Sequence, residues 1–328
     1  MTTAPPGMTE LLARWGIPAR ADLVRAERGT NNQTFAVVLG RRRWALRISE
    51  NLTAEQVHAE HRLLTRLCGA GLPFAVPEPV PTLAGDTVTD TPAGPATLCR
   101  WLPGVRPELA EEQALARFGR AIGLLSEALR NVPLADAPHD WRGDPLGPHP
   151  EMPGVAELAR QLSPEHAALL EAGARRVGTW WSAPSRDLPV QVVHGDAAAS
   201  NTLVDERTGQ VTALLDFEIA GADFRVQDLV AALTQSGALD GAGWQPRVAA
   251  LMRGHASALP LSPAEIQAIP PLLICRCIGS IQWRAGRWHR GQAELIEVIE
   301  RLGYLAETMK WLDTSGEQFL DVIARTGR

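Results

Sequence analysis

Apolar and polar positions follow two different rhythms along this chain. In the first hundred residues they alternate. Residues 23–28, 34–39 and 43–48 each read as a strand, with polar turns between them. In the third strand Trp44, Leu46 and Ile48 share one face, and Ala45 and Arg47 share the other. A helix then starts after Thr53, which forms a capping-box pattern with Gln56. Its apolar stripe is Val57, Leu64 and Leu67, and it stops at residues 69–71. Glu60 falls on that same stripe. A carboxylate on an inward face is costly unless it meets a cation. Residues 73–95 are rich in proline and glycine, with a β-like piece at 87–89. Residues 96–102 read as a further strand, and Pro103-Gly104 marks a lobe boundary.

Beyond that dipeptide the rhythm becomes helical. Leu115, Phe118, Ile122, Leu125 and Leu129 mark a helix within residues 108–130, and another is expected at 164–181. The proline-rich stretch 131–154 between them reads as loop. A β island follows at 190–193, 202–205 and 211–215, the last two flanking the turn Glu206-Arg207-Thr208-Gly209. From residue 227 the pattern is helical, with breaks expected at Gly241-Ala242-Gly243 and at Pro270-Pro271. No internal repeat is visible.

Composition narrows the function classes. The chain has 328 residues, 45% of them apolar, enough for one large domain or two medium ones. The formal net charge is −5, both signs are dispersed and no basic run occurs, so no nucleic-acid partner is expected. No uninterrupted apolar run reaches about 18 residues, so no membrane span is expected. Residues 1–10 lack the pattern of a secretory signal. Cys68, Cys99, Cys275 and Cys277 are dispersed and read as reduced thiols of a cytoplasmic protein. Among 32 Lys plus Arg, Lys310 is the only lysine. It is followed by Trp311, so no G-x-x-x-x-G-K-[ST] phosphate loop exists. Lys310 has no serine three residues before it, which argues against a Ser-x-x-Lys nucleophile. Any phosphate must be handled by backbone amides, metal ions and arginine.

The chemistry concentrates in His194-Gly195-Asp196, Asn201 and Leu215-Asp216-Phe217-Glu218. Each group lies at the end of an expected strand, where loops present reactive side chains. Asn201 lies five residues beyond Asp196, and Asp216 lies twenty beyond it, after the hairpin. This is the spacing of a kinase-type phosphoryl-transfer site. There an Asp orients or deprotonates the acceptor hydroxyl, and an Asn and a second Asp hold Mg²⁺ against the phosphates. Asn201 and Asp216 offer the hard oxygen ligands that magnesium prefers.

The segment His194-Gly195-Asp196…Asn201…Leu215-Asp216-Phe217 resembles the aminoglycoside phosphotransferase superfamily, which has the protein-kinase-like fold. Within it the chain looks most like the homoserine kinase type II branch. The continuation through Phe224-Arg225 to Asp228 also resembles choline/ethanolamine kinases. The resemblance implies an α+β, two-lobed fold. A small antiparallel β N-lobe with one helix spans residues 1–102, and a larger, mainly helical C-lobe spans 103–328 and carries the catalytic loop and a β-hairpin. It implies ATP and Mg²⁺ as cofactors and Asp196 as the catalytic residue. Ala45 would line the adenine. Arg47 would contact the phosphates where the family usually has lysine, paired with Glu60, and arginine keeps that electrostatic role. Gly29, Thr30, Asn31 and Asn32 occupy the phosphate-loop position. Arg100 to Leu102 would form the hinge against adenine. His194 and Asp228 would hold the catalytic loop. Glu218 would either hold magnesium, directly or through another group, or contact the acceptor.

The acceptor expected from this resemblance is the hydroxyl of a small molecule, homoserine first, then choline, ethanolamine or an aminoglycoside. A nucleotide-binding pseudokinase is the alternative. The twelve residues from Asp216 to Asp228 leave little room for a peptide platform, which argues against a protein kinase. Arg276, Trp283, Arg284, Arg287, Trp288 and His289 form a cluster where such acceptors bind. Arginine there suits a carboxylate and tryptophan suits an ammonium group, but core tryptophans and solvated surface arginines are the favoured reading. The oligomeric state is left open.

Overall fold

The computed structural model describes residues 7–25, 32–182 and 187–328. Its N-terminal region is an antiparallel sheet of β1 (Asp22–Arg25), β2 (Asn32–Leu39), β3 (Arg42–Ser49), β4 (Val88–Thr91) and β5 (Gly94–Arg100). The strand order is β1-β2-β3-β5-β4. The alternation in β3 sorts its faces as expected. Leu46 and Ile48 pack with Phe35, Val37, Ala96 and Leu98. On the opposite face, Ala45 sits between Ala36 and Cys99, and Arg47 between Thr34 and Thr97.

Two helices accompany the sheet, where one was expected. The added one is α1 (Met8–Ala13), whose Met8, Leu11 and Leu12 cover the apolar face of the sheet. It is a six-residue helix without a side-chain cap, too short to print a helical period. The expected helix is α2 (Ala54–Cys68), and both hydrogen bonds of its Thr53–Gln56 capping box are present. It packs on the Arg47 side of the sheet, through the ion pair between Arg47 and Glu60.

The C-terminal region is built on α3 (Glu112–Leu129), α4 (Val155–Ala159), α5 (Pro164–Trp181), α6 (Gln227–Gln235), α7 (Trp244–Ala256), α8 (Pro263–His289) and α9 (Leu295–Thr326). Helices α3 and α7 touch backbone to backbone. A Cβ on Gly254 would fall 2.0 Å from the carbonyl oxygen of Ala116, so only glycine fits that crossing. Embedded in these helices are β6 (His139–Asp140), β7 (Val190–Val193), β8 (Thr202–Val204), β9 (Val211–Leu214) and β10 (Gly221–Phe224). Strands β8 and β9 form the expected hairpin, and β6, β10 and β7 form a second small sheet.

The break expected at Pro270-Pro271 is overturned, because α8 runs through both prolines. Each proline removes one hydrogen bond to the preceding turn. Packing compensates, since Ile266, Ile269, Leu272, Leu273 and Ile274 around them are all buried. Helix α8 has the length and apolarity to cross a membrane, yet 56% of its apolar window lies inside the fold.

One buried ion pair anchors α8. Glu265 in its first turn is wholly buried and accepts hydrogen bonds from Arg225, just after β10, at 2.8 and 2.5 Å. Burial pushes the Glu265 carboxyl up, but Arg225 and the Ser262 amide and hydroxyl outweigh it and hold it below its ordinary value. The folded carboxyl therefore titrates lower than the unfolded one. Its contribution is complete above the ordinary carboxylate range and is lost as pH falls through the depressed value. Glu265→Ala should cost about 3–5 kcal/mol in urea denaturation near neutrality, because it strands a buried guanidinium. Replacing both partners by apolar residues should cost much less, and the deficit of Glu265→Gln should shrink in acid.

Candidate active site

The loop after β7 is held from beneath. Asp228, in the first turn of α6, is buried, and its two oxygens accept the amide hydrogens of His194 and Gly195, each at 2.9 Å. Burial raises its carboxyl, while His194 and the two amides pull it back. The His194 ring is also buried. Its Nδ1 accepts from the Asp196 amide at 3.2 Å, so its Nε2 donates to the carbonyl of Leu215 at 2.9 Å. The ring lies 4.3 Å from that of Phe217. The same histidine thus ties the Asp196 loop to the Asp216 segment. Gly195 has φ +82°, and a Cβ there would sit 2.8 Å from the carbonyl oxygen of Ile219.

Asp196 projects from this loop with both carboxylate oxygens engaged. Oδ2 accepts from Asn201 Nδ2 at 2.9 Å. Oδ1 accepts from Gln235 Nε2 at 2.7 Å and from Arg276 Nη2 at 2.6 Å. Arg276 Nη1 also donates to the carbonyl of Gly195 at 3.0 Å. Asn201 spends its amide nitrogen on Asp196, donating to its backbone oxygen as well at 3.0 Å, which turns its carboxamide oxygen away from that carboxylate.

Asp216 follows β9, where the amide of Leu215 donates to the carbonyl of Asn201 at 2.7 Å. Asp216 has φ +65°, and among the described residues no other non-glycine lies in the left-handed region. Such strain concentrates at functional sites. Its Oδ1 is inaccessible to solvent and has no hydrogen-bond partner among the described residues. Burial first, and then the charge of Glu218, push the Asp216 carboxyl up, while Arg47 opposes them. Glu218 is itself buried and accepts from Asn32 Nδ2 at 2.6 Å.

Arg47 reaches the same place from the sheet. Glu60 is 2% exposed and bonded to Arg47, which accounts for a carboxylate on an apolar stripe. Burial pulls the Arg47 guanidinium down, but Glu60 and Asp216 more than reverse this, so it stays charged. Arg47, Glu60, Asn32, Asp196, Asn201, Asp216 and Glu218 therefore form one electrostatic cluster between the sheet and the catalytic loop.

The remaining expected residues are placed as follows. Ala45 lies on the Arg47 face of β3. Arg100 ends β5 and turns to Glu78, with its Nε 2.7 Å from that carboxylate and its amide bonded to that residue's carbonyl at 3.0 Å. The Trp101 amide is engaged with Arg43 at 3.3 Å. Among the described residues, the amide of half-buried Leu102 has no backbone partner. Gly29, Thr30 and Asn31 lie outside the described residues. The C-terminal cluster divides. Arg284 pairs with Glu297 at 2.9 Å, Trp288 packs on the core, and His289 meets Gln161 at 2.7 Å. Arg276 of that cluster contacts the loop after β7, through Gly195 and Asp196. Gln235 was not foreseen, since a polar residue at a helix end carries no distinguishing signal.

The donors around Asp216 are a carboxylate oxygen without a partner, a carboxamide and a second carboxylate. This is a hard-oxygen set that fits magnesium. The described residues contain no group of three or more His, Cys, Asp or Glu that makes a metal cage alone. Magnesium needs none, because one or two protein ligands with substrate phosphates suffice.

The chain is similar to known proteins over most of its length. It is 29% identical to a homoserine kinase of Gluconobacter oxydans strain 621H over 251 residues, 74% of this chain and 75% of that one. Its fold matches a microcompartment-associated aminopropanol kinase with a TM-score of 0.72 at 18% identity, covering 95% and 97% of the two chains. It also matches an amicoumacin kinase in complex with AMP-PNP, Ca²⁺ and Ami, with a TM-score of 0.69 at 15% identity, covering 97% and 94%. The model of the phosphotransferase enzyme family, APH, matches residues 22–261, so the chain belongs to that family.

Proposed function

We propose that this protein is an ATP- and Mg²⁺-dependent kinase that phosphorylates the hydroxyl of a small molecule, homoserine. The observation that carries the reading is Asp216. It is a carboxylate on a strained left-handed backbone, with an oxygen that is neither solvated nor hydrogen-bonded, next to Asn201 and Asp196. An unsatisfied buried oxygen costs about 1–3 kcal/mol, and a bound cation removes that cost. The homoserine assignment rests on the similarity to the Gluconobacter oxydans enzyme.

In this reading residues 1–102 hold the nucleotide and residues 103–328 hold the acceptor. Bound Mg²⁺ would neutralise charge on the phosphates, held by Asn201 and Asp216 with Glu218 beside them. Arg47, fixed by Glu60, steadies the phosphates. Ala45, on the Arg47 face of β3, and the amide of Leu102 receive the adenine. Asp196 sets the acceptor hydroxyl for attack, and Asn201 keeps its carboxylate in one rotamer. Asp228 and His194 keep the loop in register with Asp216.

Two predictions follow from these roles. With Mg-ATP and homoserine in a coupled ADP-release assay, Asp216→Ala should abolish turnover and Asp196→Ala should lower it about 10²-fold or more. Near-normal rates in both variants would sink the proposal. Arg47→Lys should retain activity, whereas Arg47→Ala should raise the KM for ATP by about 10- to 100-fold, the worth of a charge-assisted contact. Unchanged ATP kinetics in Arg47→Ala would remove Arg47 from the phosphate site and leave the Asp196–Asn201–Asp216 assignment standing.

A further inference from the structure

We propose that Arg276 is the specificity-determining residue of the acceptor site, selecting hydroxyl compounds that carry a carboxylate a few bonds from the reacting oxygen. The inference rests on the small-molecule kinase reading above and goes further by naming the group that is recognised and the residue that reads it.

Three observations converge. The first is the placement of Arg276. It emerges from the middle of α8 and sits beside the carboxylate that faces the acceptor hydroxyl, 2.6 Å from Asp196 Oδ1. A guanidinium has five N–H donors in a rigid fork. Two are directed at Asp196 and the Gly195 carbonyl, and Arg276 makes no other hydrogen bond among the described residues. The side chains of Arg276 and Asp196 are 24% and 34% exposed, so a ligand reaches both.

The second is the surface that leads away from Arg276. Ser280, Trp283 and Arg287 follow it at i+4, i+7 and i+11, which puts all four on one stripe of α8. All four are half-buried. Gly279 leaves space beside that stripe, since a Cβ there would meet nothing within 4 Å. Burial and the neighbouring Arg284 and Arg290 lower the Arg287 guanidinium, while Glu297 and then Glu50, which follows β3, oppose them, so Arg287 lies within electrostatic reach of the end of that strand. Arg284, Trp288 and His289 are committed to other partners.

The third is charge. Asp196, Asp216, Glu218 and Asp228 make the acceptor end of the cleft strongly acidic, and Asp228 is close enough to feel Arg276. An acceptor carboxylate entering there without a cation would be repelled by each carboxylate it approaches. Arg276 reverses that sign at one point, next to the oxygen that receives the acceptor hydroxyl. The spacing suits the substrate. In homoserine the hydroxyl oxygen and the carboxylate carbon are four bonds apart, about 5 Å when extended. A molecule that sets its hydroxyl on Asp196 therefore brings its carboxylate to the unoccupied edge of the neighbouring guanidinium.

The test compares two acceptors that differ by the carboxylate alone, L-homoserine and 3-aminopropan-1-ol, in the wild type and in Arg276→Lys, Arg276→Gln and Arg276→Ala. Wild-type enzyme should favour homoserine in kcat/KM by about 10- to 100-fold. Arg276→Ala should erase most of that preference through the KM for homoserine, and Arg276→Lys should restore part of it. Arg276→Gln keeps an amide donor toward the loop and removes the charge, so it reads the preference with the loop still bonded. Loss of the hold on Asp196 lowers kcat for both acceptors equally and cancels in the ratio. A homoserine to 3-aminopropan-1-ol ratio unchanged in Arg276→Ala and Arg276→Gln overturns this inference, whether or not both rates fall. Wild-type turnover of 3-aminopropan-1-ol but not of homoserine also overturns it and leaves the kinase reading intact. Turnover of neither by the wild type overturns the homoserine reading itself, and this inference with it.

Discussion

The arrangement of the whole site depends on one buried carboxylate taking two backbone amides. Asp228 accepts from His194 and Gly195 at once, which a single rotamer achieves only if both amides point down toward the start of α6. That direction lifts Asp196 toward the cleft. It also seats the His194 ring so that its other nitrogen reaches Leu215, one residue before Asp216. A carboxylate in the first turn of a helix gains from the helix dipole, which helps it stay charged although burial disfavours this. Losing it would leave two buried amides unsatisfied, each at about 1–3 kcal/mol.

Two arginines balance the acidic groups that this loop gathers. Arg47 comes from the sheet and Arg276 from α8, and each is held by a carboxylate of the site or next to it. In the proposed reading the first faces the side that takes the phosphates, and the second faces the side that takes the acceptor. The site thus has a guanidinium at either end and acidic groups between them. Its two cations are supplied by different regions of the chain, so the charge pattern depends on how sheet and helices meet.

Much of this was legible in the residues, for physical reasons that differ from case to case. The alternation in β3 and the capping box of α2 are local, so their periods and end signals sufficed. Glu60 stood out because a lone carboxylate on an apolar stripe demands a partner, and Arg47 supplies it. The spacing of Asp196, Asn201 and Asp216 marked the site because a hairpin fixes the separation of its two ends. Strands β6 and β10 were missed, since two and four residues carry no period and pair only through tertiary contacts. The prolines of α8 misled because local backbone preference was outweighed by burial all around the helix. The division of the C-terminal cluster was also unreadable, because neighbours in sequence on a long helix face different surroundings.

The arginine at position 47 has a chemical consequence apart from binding. A lysine in that place is a primary amine, open to acetylation and to labelling by nucleotide analogues that carry an aldehyde or an activated acyl group. A guanidinium is protonated throughout the physiological range and is a poor nucleophile. Lys310, the only ε-amine in the chain, lies exposed on α9. The phosphate side of the proposed site therefore offers no ε-amine, and lysine-directed covalent inhibitors find no target there.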